Sequence, residues 1–170
     1  VVSRSCAKPD DVIVVTGCHG DSSGGLKLLL DGKKEPLYLI KKHLVPAPQV
    51  EKSEALLKVA FDCGVKSIAM MDSSDGLGDA LYKLSKGCGF AFDVDYSSIP
   101  VSSELKKEFP DSWMEYVLWG GEDFELVFCV NKKVFEKLDK TQFFKIGVVS
   151  DRPFLDDIEK EFENKSYRHF

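Results

Sequence analysis

Ser67-Ile68-Ala69-Met70-Met71-Asp72-Ser73-Ser74-Asp75-Gly76-Leu77 is the stretch on which the fold turns. An apolar run of strand length breaks into a turn of Asp, Ser and Gly, after which Leu77, Ala80, Leu81 and Leu84 recur at helical spacing. Strand, polar turn and amphipathic helix follow one another with no linker between them.

The same alternation continues outward. Toward the N-terminus, Glu51 to Cys63 reads as a helix with Leu56, Leu57, Ala60 and Phe61 on one face and Gly64 past its end. Leu37 to Leu44 reads as a short helix stopped by Pro46 and Pro48, since proline lacks the amide donor. Val12-Ile13-Val14-Val15 is a β-branched run, expected as a buried strand, and Leu26 to Leu30 as a helix after a glycine-rich turn. Toward the C-terminus, Phe90 to Tyr96 alternates apolar and polar residues as a half-exposed strand does. Ser102 to Trp119 reads as mostly helical with a break at Pro110, and Phe124 to Val130 as a strand. Asn131 is placed to cap a helix through Leu138, and Phe144 to Val149 as a last strand; Asp151 to Phe170 has no clear pattern. Strands alternating with helices predict an α/β layered sandwich, a mixed β-sheet with packed helices, forming a single domain over 1–170.

Composition narrows the classes of function. Of 170 residues, 44% are hydrophobic and 30% charged, the balance of a globular protein. A net charge of −5 argues against general nucleic-acid or anionic-membrane binding, so any phosphate must be neutralised locally. No apolar stretch approaches the ~20 residues that span a bilayer. The five cysteines are scattered, none in the two-residue spacing of a zinc or redox site, and read as reduced thiols of a cytoplasmic protein. The chain opens on Val1 without an initiator Met, which reads as part of a longer protein.

Three segments carry chemistry. Asp72 and Asp75, at the end of a strand, suit a hard cation such as magnesium, while Ser74 and the amides of the next helix suit phosphate. The competing reading makes Ser74 or Asp75 a helix N-cap. Gly120-Gly121-Glu122-Asp123-Phe124-Glu125-Leu126 brings three acids into an apolar strand, with Asp123 and Glu125 expected to alternate sides with Phe124 and Leu126; the plain alternative is a turn with exposed acids. Thr16-Gly17-Cys18-His19-Gly20-Asp21-Ser22-Ser23-Gly24-Gly25 fits no phosphate-loop or dinucleotide pattern, and its glycines read as tight strand-to-helix packing. Cys18 and His19 are adjacent and point apart, and His43 and His169 stand alone, so none is expected to bind metal.

Together these segments resemble the thiamine-monophosphate kinases, within the aminoimidazole-ribonucleotide-synthetase superfamily. The likeness rests on Arg4 to Asp11 followed by Val15-Thr16-Gly17, on His43-Leu44-Val45-Pro46-Ala47-Pro48, on Met71 to Leu77, on Gly120 to Leu126, and on the ending Tyr167-Arg168-His169-Phe170. It implies the C-terminal half of a two-domain enzyme that transfers the ATP γ-phosphoryl group directly to thiamine monophosphate, forming thiamine diphosphate. It implies magnesium at Asp72 and Asp75, nucleotide contacts from Arg4 and Ser74, and acceptor contacts from Glu122 and Tyr167. It also implies a homodimer formed through an N-terminal half outside this chain, without which the chain is inactive. Another ATP-dependent member of the superfamily, or a non-catalytic ligand-binding module of the same fold, is the alternative. The chain departs from the family in having Asp10 and Ser166 where Gly is usual, and Val45 and Gln49 where basic residues are expected.

Overall fold

A computed structural model describes residues 1–155. Their strands are β1 (Val2–Ser3), β2 (Val12–Thr16), β3 (Ile68–Asp72), β4 (Phe90–Val94), β5 (Leu126–Val130) and β6 (Phe143–Pro153). The helices are α1 (Asp21–Leu30), α2 (Leu37–Leu44), α3 (Val50–Asp62), α4 (Leu77–Cys88), α5 (Ser103–Glu108), α6 (Trp113–Trp119) and α7 (Lys132–Lys137). The strands form one sheet in the order β1-β3-β5-β2-β6-β4. Only the β1–β3 pair among them is parallel, so the sheet is mixed, as the alternation of elements predicts.

β2 is buried along its whole length because the sheet is covered on both faces. Ile13 and Val15 point to one face, where Leu28 of α1, Leu39 of α2, Leu77 and Leu84 of α4, Leu105 of α5 and Val117 of α6 pack. Val12 and Val14 point to the other, against Leu56 and Ala60 of α3 and Val134 of α7. The period-2 geometry of a strand thus divides one apolar run between two cores.

Most boundaries fall within a residue or two of expectation, and the exceptions are physical. α1 begins at Asp21 rather than Leu26, so Gly24 and Gly25 lie inside the helix. A Cβ on Gly25 would come 2.1 Å from the Leu39 carbonyl oxygen; the glycines let helix approach helix, not strand approach helix. β6 runs on to Pro153 because β4 keeps pairing with it as far as Phe90 opposite Pro153. Asn131 caps α7 as expected, accepting the Val134 amide at 2.9 Å. Asp10, where the resembling family has Gly, has φ 69°, a left-handed conformation that Asp tolerates better than most side chains.

Candidate active site

β3 and β5 pair with Asp72 opposite Leu126, so the turn leaving β3 and the segment entering β5 lie at one end of the sheet. The two are stitched together. The Ser73 amide donates to the Glu125 carbonyl at 2.9 Å, and the Glu122 amide donates to the Ser74 carbonyl at 2.8 Å. Gly76 makes the approach possible: its φ is 104°, and a Cβ there would stand 2.8 Å from the Leu118 carbonyl oxygen. Asp72, Ser74, Asp75 and Glu122 are thereby gathered along one edge.

Within that edge Asp72 is exposed, and Ser74, Asp75 and Glu122 are half-buried. The N-cap of α4 is Gly76 with no side-chain cap, so the reading of Ser74 or Asp75 as a cap is set aside. The first-turn amides of α4 keep their affinity for an anion. Asp75 forms an ion pair with Lys83 at 3.1 Å, and Lys83 also reaches Asp79 at 2.7 Å. Among the described residues no group of three or more His, Cys, Asp or Glu side chains is placed to hold a metal ion. Asp72 and Asp75 offer the hard oxygen donors that magnesium prefers, and as a pair they fit part of such a site.

The segment ahead of β5 differs from expectation. β5 starts at Leu126, and Glu122 and Phe124 have φ of 69° and 53°, so Asp123 and Glu125 do not alternate as strand residues. Two non-glycine residues held left-handed carry strain of about 1 kcal/mol or more each. The acids are not exposed ornaments of a turn either. Asp123 accepts the amides of Gly20 and Ser22 at 2.6 and 2.9 Å, supplying from a distance the cap that α1 lacks locally. Glu125 is only 3% exposed and accepts the Thr16 hydroxyl at 2.7 Å. It also meets Gln49 Nε2 at 3.2 Å and Lys52 Nζ at 3.6 Å. Lys52 therefore brings a cation to Glu125 one helical turn beyond Gln49. Gly17 admits this carboxylate; a Cβ there would lie 2.5 Å from Glu125 Oε1.

Burial shapes the electrostatics. Asp123 is pushed up to about 7 by desolvation, its two amide donors opposing and the charges of Asp21 and Glu125 adding to the rise. Burial raises Glu125 as well, against the Thr16 hydrogen bond and the charges of Lys52 and Lys42. Burial pushes the Cys18 thiol up to about 11, away from nucleophilic thiolate. His19 is fully buried, with no hydrogen-bond partner for either ring nitrogen among the described residues, and desolvation pushes it down to about 4. Neither side chain is an activated nucleophile.

Two candidate residues stand apart. Arg4 is exposed, and its carbonyl lies against Gly87 near the C-terminal end of α4, 2.8 Å from where a Cβ on Gly87 would be. The helix separates it from Gly76 by about 16 Å along its axis. Tyr167 lies outside the described residues, as does Ser166. Conversely, no local pattern in the sequence groups Thr16, Lys52, Asp123 and Glu125, since the contacts joining them span up to 109 positions. Beside the edge, a largely apolar cavity of about 480 Å³ is walled by Gly78, Tyr82, Phe92, Leu118, Trp119 and Phe154. No helix among the described residues is long and apolar enough to cross a membrane.

Residues 8–157 match the family described as AIR synthase related protein, C-terminal domain. The thiamine-monophosphate kinase of Bacillus subtilis (strain 168) is 33% identical over 186 residues, covering 98% of this chain and 55% of that protein. The thiamine-monophosphate kinase of Aquifex aeolicus (strain VF5) is 33% identical over 177 residues, covering 99% of this chain and 55% of that protein. A solved structure of AaThiL complexed with AMPPCP and TMP superposes with a TM-score of 0.80 at 33% identity, covering 99% of this chain and 54% of that one. The chain spans about half the length of the curated relatives it matches.

Proposed function

The chain belongs to the AIR synthase related protein, C-terminal domain family, and from that premise we propose that it is the nucleotide- and acceptor-binding half of a kinase that phosphorylates thiamine monophosphate. The observation that carries the reading is the pair of backbone bonds, Ser73 to Glu125 and Glu122 to Ser74, that bring both acidic segments to one edge. The relatives named thiamine-monophosphate kinase, and a relative's complex with AMPPCP and TMP, support the choice of reaction.

In this reading a terminal phosphate oxygen of thiamine monophosphate attacks the γ-phosphorus of ATP in line. The new P–O bond forms as the bond to the β-phosphate oxygen breaks, and thiamine diphosphate and ADP leave. Asp72 and Asp75 would hold magnesium, which neutralises phosphate charge and orients the reacting oxygens. Further carboxylates come from the part of the protein outside this chain. Ser74 and the uncapped first turn of α4 bind phosphate of the nucleotide. Arg4, exposed near the other end of α4, is assigned a nucleotide phosphate at the margin of the site. Glu122 faces the cationic acceptor, Tyr167 is its aromatic contact, and the aromatic cavity beside Trp119 suits flat heteroaromatic rings. We place the enzyme in the cytoplasm as a homodimer formed through its other half.

The test is kinetic, on the full-length protein. Glu122→Gln and Tyr167→Ala should each raise KM for thiamine monophosphate and leave KM for ATP nearly alone. A matching rise for ATP, or no change for either substrate, overturns the assignment. The isolated 170-residue chain should make no thiamine diphosphate.

A further inference from the structure

Glu122, Asp123 and Phe124 form an unusual piece of backbone, with left-handed residues on both sides of Asp123. Such conformations persist where the surroundings over-determine them, and they gather at ligand sites. Several fastenings surround this one. Glu122 is tied by its amide to Ser74. Glu125 is tied by its carboxylate to Thr16, whose hydroxyl in turn accepts the Leu126 amide at 2.8 Å. Asp123, between them, reaches across to the first turn of α1 and accepts the amides of Gly20 and Ser22. The first fastening holds the entry to the segment and the second its exit. Asp123 clamps the middle.

We propose that Asp123 is a positioning residue for Glu122: its carboxylate anchors the 122–124 backbone to the first turn of α1 and so fixes where the Glu122 carboxylate meets a cationic acceptor. The inference rests on the assignment of Glu122 to acceptor binding. Loss of the clamp removes a hold on the strained 122–124 backbone, and relaxation toward negative φ swings the Glu122 Cα–Cβ bond and shifts its carboxylate. Asp123 touches no substrate in this scheme; it acts through Glu122.

The surroundings make the clamp sensitive to protons. Cys18 and Asp21 face Asp123 from the glycine-rich turn and α1, Lys42 from α2, and Glu125 from its own segment, with Lys52 of α3 beyond Glu125. Burial, with the charges of Asp21 and Glu125, makes the carboxylate take up its proton near neutrality. A protonated carboxyl is the weaker acceptor for two amides.

The experiment is a double-mutant cycle on the full-length protein, using Asp123→Asn, Glu122→Gln and both together. Asp123→Asn should raise KM for thiamine monophosphate roughly tenfold with KM for ATP and kcat nearly unchanged, and should add almost nothing in the Glu122→Gln background. Additive losses, or an equal rise in both KM values, overturn the proposal. A wild-type protein that never phosphorylates thiamine monophosphate instead refutes the underlying functional reading. A second measurement does not depend on any variant folding: an NMR pH titration of the wild-type full-length protein. The amides of Gly20, Ser22 and Glu122 should shift together with one midpoint near neutrality. A Glu122 amide that stays flat while the other two titrate overturns the coupling.

Discussion

The carbonyl oxygen of Ser74 accepts the backbone N–H of Glu122 at 2.8 Å, joining the turn after β3 to the strained segment before β5. No side chain takes part in that bond. It depends on how closely the Gly76 backbone passes beneath residues 118–120.

Gly76→Ala therefore tests the junction. A Cβ 2.8 Å from the Leu118 carbonyl, at a φ of 104°, cannot be relieved by a rotamer change. The variant should lose about 2–3 kcal/mol of stability in urea unfolding. A change below about 0.5 kcal/mol would mean that the two segments are not held this tightly.

Asp72→Asn should do the reverse. Asp72 is exposed at a strand end and has no side-chain partner among the described residues. Stability should stay within about 0.5 kcal/mol of wild type while the full-length enzyme loses most of its activity. Retained turnover with a large loss of stability would make Asp72 structural.

Thr16→Val probes the buried pair beneath the site. Thr16 is fully buried, donates to Glu125 and accepts from the Leu126 amide, so an isosteric methyl removes both bonds, leaving the Glu125 carboxylate only Gln49 and Lys52 among the described residues. A loss of about 1–3 kcal/mol is expected, with Thr16→Ser recovering most of it. Equal stability for Val and wild type would show the hydroxyl to be dispensable.

His19 sets a dependence on acid. Its folded value of about 4 lies below the ordinary 6.5, so the folded state binds fewer protons than the unfolded chain between those pH values. Its contribution is present above pH 6.5 and is lost as pH falls toward 4. His19→Leu should be neutral or stabilising by up to about 1 kcal/mol at pH 7, because it removes a buried ring whose nitrogens make no well-formed hydrogen bond among the described residues. It should also flatten the acid limb of the stability curve. An unchanged acid limb would place the sensitivity elsewhere.

Asp123 works in the opposite sense. Its folded value near 7 exceeds the ordinary 3.8, so the folded state holds a proton that the unfolded chain has released. Stability from this group is present below pH 3.8 and is lost as pH rises to about 7. Across pH 4 to 7 it offsets His19. Compared with wild type, Asp123→Asn should gain relative stability as pH rises through that window. Parallel curves would show that Asp123 does not titrate there.

Much of this was legible in the residues themselves. Val12 to Val15 reads as a buried strand because β-branched apolar side chains admit little else, and Leu77, Ala80, Leu81 and Leu84 read as one helix face by their spacing. Such local patterns determined the order and type of nearly every element, and with them the layered α/β class. The motif residues Asp72, Ser74, Asp75 and Glu122 were also visible, as carboxylates and hydroxyls at strand–helix junctions. What only the tertiary structure decided is how those junctions meet. The left-handed backbone at Glu122 and Phe124 contradicts the local strand pattern, and it is held by Asp123 capping a helix more than a hundred positions away. The same holds for Glu125, whose burial against Thr16, Gln49 and Lys52 depends on three separate elements converging. Periodicity reports which face of an element is apolar, because that follows from neighbours in sequence. A hydrogen bond between distant loops follows from sheet order and close backbone approach, and those exist only once the chain has folded.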